Sequence, residues 1–281
     1  MPAAKGSFKV GNVEVGGPDL FLIAGPCVIE SEAHAIKMAE CCNGVSRSLR
    51  LPYIFKASYD KANRTSIKSY RGLGLSAGLR VLKKIKDTVR IPVLTDVHEP
   101  VDVQRVAEVV DILQIPAFLC RQTDLIVAAA KSGCAVNIKK GQFVSPWDMR
   151  HAVEKCRDAG CERIFVTERG ASFGYNNLVV DMRSLPIMRG FAPVVFDATH
   201  SVQLPSSGEN GKAVSGGQPQ FIPMLARAAV AVGVDGVFME VHDDPKNAKS
   251  DGANALDLKK LRGVLQELVA VRKAVTQSQR A

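Results

Sequence analysis

Short apolar runs alternate with amphipathic segments along most of the chain. Eight of the runs are rich in Val, Ile, Leu or Phe and predict strands: Leu20–Gly25, Tyr53–Ser58, Pro92–Val97, Asp111–Pro116, Ala135–Lys140, Arg163–Glu168, Pro193–Thr199 and Gly236–Val241. They are continuous rather than alternately apolar and polar, which is typical of parallel strands buried on both faces. Residues 8–16 do alternate, with Gly11-Asn12 at the centre, and predict a β-hairpin ahead of the first strand.

The segments between the strands have helical spacing. Apolar residues recur every three or four positions from Ala35 to Leu49, behind Ser31 as a helix-capping residue, and again from Leu258 to Val275. Eight strand–helix units in 281 residues predict a (β/α)8 TIM barrel over 20–276, with the hairpin at 8–16, in one domain spanning 1–281. A doubly wound open sheet is disfavoured because no GxGxxG follows the first strand.

Three long connections follow predicted strands, at Tyr59–Leu73, Ser201–Gln220 and His242–Ala255. In a barrel they become loops at the carboxyl ends of the strands, where active sites lie. Long Gly-rich loops at that end are typical of lids or phosphate-binding loops.

Composition narrows the class of protein. The seven cysteines form no CxxC motif, which indicates a reducing compartment. Neither a signal peptide nor a membrane span is recognisable, so we expect a cytoplasmic protein without membrane contact. The formal charge is +9, from 37 Lys and Arg against 28 Asp and Glu. These cations are dispersed rather than clustered, which argues against a nucleic-acid partner and leaves anionic small molecules.

The predicted strands bring polar residues to one end of the barrel. Five are cations: Lys56, Lys61, Arg64, Lys139 and Arg169. Any one of them is as well explained by a structural ion pair as by function, but the set predicts a site for phosphate and carboxylate groups. A Schiff-base lysine at Lys56 or Lys139 stays open, because aldolases with this fold use one.

A second set combines a thiol, an imidazole and two carboxylates: Cys27, His200, Glu240 and Asp251. They follow strands that are neighbours once a barrel closes, and together they suit a divalent Zn, Fe, Mn or Co ion. Taken alone, Cys27 is better explained as a small core residue. The other cysteines, His34 and His151 are interpreted as structural.

Six segments resemble the 3-deoxy-D-manno-octulosonate 8-phosphate synthase family, at Ile23–Ser31, Phe55–Ser66, Thr95–Pro100, Gln114–Phe118, Asn137–Phe143 and Phe196–Ser201. The most specific motif is Lys61-Ala62-Asn63-Arg64, where the related 3-deoxy-heptulosonate 7-phosphate synthases carry Lys-Pro-Arg. The resemblance runs from the first strand to the last helix. It implies a (β/α)8 barrel closed below by the hairpin, and a homotetramer.

The implied activity is the condensation of phosphoenolpyruvate with D-arabinose 5-phosphate and water, giving 3-deoxy-D-manno-octulosonate 8-phosphate and phosphate for the lipopolysaccharide core of a Gram-negative bacterium. The residues that would bind phosphoenolpyruvate are Lys56, Ser58, Lys61, Gln114, Lys139, Arg169 and the backbone of Ala117. Those that would bind arabinose 5-phosphate are Asn63, Arg64 and Thr65 (Ser in many relatives), with Arg121 reaching the sugar phosphate of a neighbouring subunit.

The family has metal-dependent and metal-independent members, which carry Cys or Asn at the position of Cys27. Metal-independent relatives tend to have Cys-Asp-Gly where this chain has Ser250-Asp251-Gly252. Both features imply the metal-dependent class, with Cys27, His200, Glu240 and Asp251 as ligands of a divalent ion whose identity stays open.

Catalytic roles follow from the charges that the reaction develops. Lys139 is a candidate general acid or base, and Asp96 or His200 would relay the proton of water. The main alternative activity is the seven-carbon synthase that uses erythrose 4-phosphate, and a basic nucleic-acid-binding protein is the remote one.

Overall fold

The computed structural model describes residues 6–205 and 216–278, and within them eight parallel strands form a closed barrel. In chain order these strands are β3 (Phe21–Gly25), β4 (Tyr53–Lys56), β5 (Val93–Asp96), β6 (Ile112–Ile115), β7 (Ala135–Lys139), β8 (Ile164–Glu168), β9 (Val194–Asp197) and β10 (Gly236–His242). Each pairs with the next, and β10 closes the ring by pairing with β3 over five residues of each strand. The predicted (β/α)8 barrel is therefore confirmed.

The strand positions agree with the predicted runs to within one or two residues at each end. Most observed strands are shorter because the chain leaves the ladder one residue early. Pro92 and Pro193, for example, have no N–H to donate, yet their carbonyls still accept from Phe55 and Val166 at 2.9 Å. They lie at the edge of the ladder rather than inside it.

Eight α-helices surround the barrel within the described residues, one after each strand. They are α1 (Glu32–Ser48), α2 (Leu75–Val89), α3 (Val103–Ala107), α4 (Thr123–Lys131), α5 (Met149–Asp158), α6 (Ser184–Arg189), α7 (Ile222–Val232) and α8 (Leu258–Ser278). The predicted cap of α1 is present, since Ser31 Oγ accepts the His34 N–H at 3.2 Å. In this part of the chain no helix is long and apolar enough to cross a membrane.

The predicted hairpin closes the amino-terminal end of the barrel. Its strands β1 (Phe8–Val10) and β2 (Val13–Val15) are antiparallel. Three hairpin valines are buried in the same cluster as the inward residues of the barrel, Phe21 and Phe165 among them. Because this end is sealed by apolar packing, only the carboxyl ends of the strands are free to form a polar site.

A matched pair of substitutions measures this seal. We expect Val13→Ala to lower the free energy of unfolding by about 2 kcal/mol, because it leaves a cavity under the barrel. Val101→Ala removes the same atoms from a side chain that is 82% exposed and should stay within about 0.5 kcal/mol of the unsubstituted protein. Urea denaturation of both variants tests this, and equal effects would contradict the packing role of the hairpin.

Candidate active site

A cavity of about 1310 Å³ opens at the carboxyl ends of the strands. The three connections that the sequence marked as long all line it, through Arg64 of the first, Gln203 of the second and Asp251 of the third. Residues 206–215 of the predicted Ser201–Gln220 loop lie outside the described residues. The site is therefore at the predicted end of the barrel.

Two buried lysines form the floor of the cavity. Lys56 Nζ lies 3.2 Å from Glu240 Oε1 and 3.8 Å from Asp96 Oδ2, while Lys139 forms an ion pair with Asp197. Both ammonium groups approach the Phe238 ring, at 5.4 and 3.8 Å from its centroid. Burial lowers the pKa of Lys139 more than the Asp197 carboxylate raises it, and the charge of Lys56 adds to the lowering. Lys139 is thus suited to proton transfer nearer neutral pH than an exposed lysine.

Asp96 is the polar centre of one side of the floor. Its carboxylate accepts hydrogen bonds from Ser58 Oγ and Gln114 Nε2, and Lys61 Nζ lies 3.9 Å away. Burial works to raise the pKa of Asp96, but Lys56 and Lys61 outweigh it and hold the pKa far below its usual range. Asp96 is therefore an ionised acceptor. The Gln114 Oε1 atom is buried without a partner among the described residues, so it is available to a ligand that donates a hydrogen bond.

Arg169 enters the cavity from the end of β8. Its Nη2 donates to the His200 carbonyl at 3.2 Å and to Gln203 Oε1 at 2.8 Å. Below it, Glu168 Oε1 accepts the N–H groups of Arg169 and Gly170, at 2.9 and 2.6 Å. The guanidinium is positioned by its own strand end and by the following loop, which is the arrangement expected of a residue that binds an anion.

The four predicted metal ligands meet although they are far apart in the sequence. Cys27, Glu240 and Asp251 each place one donor atom within 4.8 Å of the others. His200 Nε2 lies 3.6 Å from Glu240 Oε1 and 3.8 Å from Asp251 Oδ2. Ser250, a neighbour not predicted to contribute, has its Oγ 2.8 Å from Cys27 Sγ.

The chemistry of this group fits a divalent ion. Glu240 is fully buried, and its Oε2 has no hydrogen-bond partner among the described residues, so a cation would satisfy it. Asp197 Oδ2 is 2.7 Å from His200 Nδ1, which orients Nε2 toward the carboxylates in the way that outer carboxylates orient ligating histidines. Burial, and then Asp251 and Glu240, raise the pKa of the Cys27 thiol. The thiol therefore donates to Asp251 at 3.2 Å, and a bound metal would displace that proton.

The predicted sugar-phosphate residues lie on the first long loop. Asn63, Arg64 and Thr65 all line the cavity. Arg64 Nε donates to the Tyr70 carbonyl at 3.0 Å, whereas its Nη2 is buried without a partner among the described residues. An unsatisfied guanidinium nitrogen beside an open cavity is suited to a phosphate oxygen.

The three remaining predicted residues lie in different positions relative to the cavity. Ala117 lines the cavity, and Ser58 is buried beneath it as a donor to Asp96. Arg121 is not among the lining residues: it is exposed, and its carbonyl accepts from Lys155 at 3.2 Å. The structure therefore does not bring Arg121 to the cavity of its own chain.

Sequence reasoning gave no role to two residues that organise the site. Asp197 contacts both Lys139 and His200, and Gln203 holds Arg169. Asp197 carried a signal, because it is an acidic residue near the end of an apolar predicted strand, three positions before His200. Gln203 carried none, since only the path of the loop brings it to Arg169.

A (β/α)8 barrel whose open end gathers buried lysines, arginines and a group of metal-ligating side chains defines an enzyme for anionic substrates. The chain belongs to the DAHP synthetase I family, which it matches over residues 5–277. It is 71% identical, over 269 residues covering 96% of this chain and 97% of the other, to the 2-dehydro-3-deoxyphosphooctonate aldolase of Koribacter versatilis. Proteins of the same name from Geobacter metallireducens and Dichelobacter nodosus are 59% and 60% identical, covering 93% and 89% of this chain and 96% and 90% of theirs. The family resemblance stated from the sequence is thereby confirmed.

Proposed function

We propose that this protein condenses phosphoenolpyruvate with D-arabinose 5-phosphate and water, giving 3-deoxy-D-manno-octulosonate 8-phosphate and inorganic phosphate. The observation that carries the proposal is the continuity of the cavity. Its lysine floor leads directly into the Asn63-Arg64-Thr65 loop, where Arg64 Nη2 has no partner among the described residues. Two anionic substrates can therefore lie end to end, and the names of the relatives agree with this chemistry.

Phosphoenolpyruvate would lie over the floor. Its carboxylate and phosphate require several cations, which Lys61, Lys139 and Arg169 supply from different strand ends. Lys56 and Ser58 lie deeper and act on Asp96, while Gln114 and the Ala117 backbone complete the wall. Holding both substrates in one orientation contributes proximity, and neutralising their charges lowers the repulsion between them.

The bonds that form and break in this reaction show which atoms must gain or lose a proton. C3 of phosphoenolpyruvate attacks the aldehyde carbon C1 of the sugar, and the aldehyde oxygen takes a proton. Water adds at C2 and loses one proton. The C2–O bond to phosphate then breaks, the remaining hydroxyl proton passes to the departing phosphate, and the ketone forms. Lys139 is the proposed proton donor to the aldehyde oxygen, because its pKa is lowered and it lines the cavity. Asp96 or His200 is the proposed acceptor of the proton from water. Nδ1 of His200 already faces Asp197, so His200 would accept the proton through Nε2 only in place of the metal ion proposed below.

We further propose a divalent ion held by Cys27, His200, Glu240 and Asp251. Such an ion would supply Lewis acidity toward an oxygen of the substrate or of water. The mixed thiolate, imidazole and carboxylate set accepts Zn, Fe, Mn or Co. Support comes from the unpartnered Glu240 Oε2 and from the orientation of His200 by Asp197.

Phosphate release is the direct test of the activity. The protein is incubated with phosphoenolpyruvate and, in separate reactions, arabinose 5-phosphate or erythrose 4-phosphate. We expect phosphate and an eight-carbon product with the pentose only. Preference for erythrose 4-phosphate would replace the proposal with the seven-carbon synthase, and trapping of a substrate adduct by borohydride would indicate a Schiff-base aldolase at Lys56 or Lys139.

Arg64 provides a test of the sugar-phosphate subsite. We expect Arg64→Ala to raise KM for arabinose 5-phosphate by about 10-fold or more, as expected for loss of a charge-assisted hydrogen bond, with little change in KM for phosphoenolpyruvate. Arg71→Ala is the matched control, because Arg71 is on the same loop but pairs with Asp60 outside the cavity lining. Equal effects on both KM values would contradict the assignment.

We also propose a cytoplasmic homotetramer acting in lipopolysaccharide synthesis. Association is supported by exposed aromatic residues in the segments after two neighbouring strands, Phe118 after β6 and Phe143 and Trp147 after β7. Arg121 is exposed in the same segment as Phe118. The seven cysteines are free, in keeping with a reducing compartment. Light scattering should give four times the chain mass, and Arg121→Ala should raise KM for the sugar phosphate if a neighbour supplies this residue.

A further inference from the structure

A second group of polar side chains joins the segment after β3 to the segment after β10. It consists of Glu30, His34, His242 and Asp243, here called the Glu30 cluster. Donor atoms of Glu30, His34 and His242 lie within 4.8 Å of one another. His34 Nε2 is 3.0 Å from Asp243 Oδ1, and the two histidine rings lie 4.6 Å apart. The proposed reaction assigns this group no role.

The hydrogen bonds of His242 argue against a metal ion in the Glu30 cluster. Its Nδ1 accepts the Asp244 N–H at 2.9 Å, so the proton of the neutral ring is on Nε2. Nε2 lies 3.3 Å from Glu30 Oε1 and donates to it. Both ring nitrogens are therefore occupied, and the cluster is a set of internal contacts that fixes two loops to each other.

Glu30 connects this cluster to the proposed metal ligand Asp251. The same Oε1 atom accepts the Lys249 N–H at 2.7 Å. Lys249 directly precedes Ser250 and Asp251, whose side chains reach Cys27 at 2.8 and 3.2 Å. Asp251 has a left-handed backbone, with φ of 50°, a conformation uncommon outside glycine although Asp adopts it more readily than most residues, and contacts on both sides of the turn favour it.

The segment that supplies Glu30 is itself fixed. Tyr70 Oη donates to the Ile29 carbonyl at 3.1 Å, and Ser31 caps α1. Cys27 and Glu30 are therefore two points on one anchored stretch, and the Lys249–Asp251 turn is attached to both of them. One attachment is direct, through Cys27, and another is through Glu30, which holds the backbone of the turn. The Lys249 ammonium group also lies 4.7 Å from the centroid of the Tyr70 ring, a contact of the side chain alone.

We propose that Glu30 is a positioning residue that holds the Lys249–Asp251 turn so that the Asp251 carboxylate faces Cys27, Glu240 and His200. The inference rests on the metal site proposed above. Glu30 acts by accepting two hydrogen bonds, from the Lys249 backbone and from His242. Without it the turn keeps its contact with Cys27 but loses the hydrogen bond that holds its backbone at Lys249, so Asp251 is less preorganised as a ligand.

The test uses the full-length protein with Zn²⁺ as the probe. Glu30→Ala removes the acceptor, and Glu30→Asp keeps the charge but withdraws it by one methylene, which carries the test should the alanine variant not fold. Glu30→Gln keeps an acceptor oxygen. Lys37→Met is the control, because it breaks the exposed Lys37–Asp243 pair of the same cluster and leaves Glu30 in place.

Three measurements are made on each variant. Hydrogen exchange of amides 248–252 is followed in metal-free protein, Zn²⁺ affinity is measured by competition with a chelator, and kcat and KM are measured at saturating Zn²⁺. For Glu30→Ala and Glu30→Asp we expect faster exchange confined to this turn and a Zn²⁺ Kd raised by about 10-fold. This is the lower end of the effect of losing a direct partner of a metal ligand, because Glu30 acts on Asp251 through the Lys249 backbone. KM for phosphoenolpyruvate should be unchanged, and Glu30→Gln and Lys37→Met should match the unsubstituted protein.

Two results would contradict the positioning role of Glu30. Unchanged exchange in the turn overturns the inference, and so does faster exchange with an unchanged Zn²⁺ Kd. If the unsubstituted protein binds no Zn²⁺ while the turn still loosens in Glu30→Ala, the proposed metal site fails, and the positioning of Asp251 by Glu30 stands as a property of the loop alone.

Discussion

Replacing Cys27 with alanine is expected to reduce kcat by more than about 100-fold, since loss of a direct ligand should exceed the effect of losing an outer-shell partner. The thiol is one of three groups whose donor atoms lie within 4.8 Å of one another, and no other sulfur of the described chain belongs to this group. Removing the thiol would leave Glu240, Asp251 and His200 as the remaining ligands. Phosphate release before and after exhaustive chelation, with and without added Zn²⁺ or Co²⁺, measures the effect.

Cys156→Ala is the matched control for this change. Cys156 is another buried cysteine, but it lies on the outer helix α5 and belongs to no group of metal-ligating side chains among the described residues. We expect this variant to lose some stability and to keep its turnover and its response to metal. A Co²⁺-loaded protein should show a sulfur-to-metal absorption band that Cys27→Ala lacks and Cys156→Ala keeps. Full activity after complete metal removal would refute the proposed ion.

Lys139→Met is expected to lower kcat by about 100- to 10,000-fold, the range typical of a lost general acid. Methionine has a volume close to that of lysine but lacks the ammonium group. Asp197 remains partnered in the variant, because His200 Nδ1 lies 2.7 Å from it and the Thr199 and His200 N–H groups also donate to it. The free energy of unfolding should therefore change little, which separates a chemical role from a structural one.

Lys140→Met tests the next residue of the chain, which is also a buried lysine. Lys140 Nζ donates to the carbonyls of Gly141, Val144 and Gly170 and lies 3.4 Å from Glu168 Oε1, outside the cavity lining. Its loss leaves the buried Glu168 carboxylate with the Arg169 and Gly170 N–H groups but without the lysine that pairs with it, whereas Asp197 keeps the His200 ring, so we expect Lys140→Met to lose about 3–5 kcal/mol in the free energy of unfolding. Lys139→Met should therefore lose turnover and keep its stability, whereas Lys140→Met should lose stability. A Lys139→Met enzyme with more than a tenth of normal kcat would contradict the proton-donor role.

The sequence predicted the secondary-structure elements and the polar residues at their ends better than it predicted which side chains contact each other. The eight apolar runs became the eight barrel strands, and the polar residue at the end of each run indicated where the cavity lies. This succeeded because continuous burial and strand–helix alternation are local properties, and parallel strands in a barrel must end on the same side. The metal candidates followed from the same reasoning, since β9, β10 and β3 are neighbours in any closed eight-strand ring.

Contacts between loops were beyond that reasoning. Gln203 meets Arg169, Ser250 meets Cys27, and Glu30 meets the backbone of Lys249, and no periodicity or spacing indicates any of these pairs. Loop paths depend on turns and on the packing of the barrel beneath them, which local propensities do not encode. His34 is an example: it was interpreted as structural and it does lie in a cluster of internal contacts, but the sequence did not indicate its partner Asp243.

The sequence by itself determined the barrel, the sealed hairpin end, the cationic character of the open end and the family, because each depends on residue type and order along the chain. The tertiary structure decided the charges and the pairings. Lys139 has a lowered pKa because folding buries it beside Lys56, and Asp251 reaches Cys27 across 224 positions only because the ring of strands closes. Burial and long-range proximity arise only when the whole chain is folded, so no local segment of the sequence encodes the lowered pKa of Lys139 or the contact of Asp251 with Cys27.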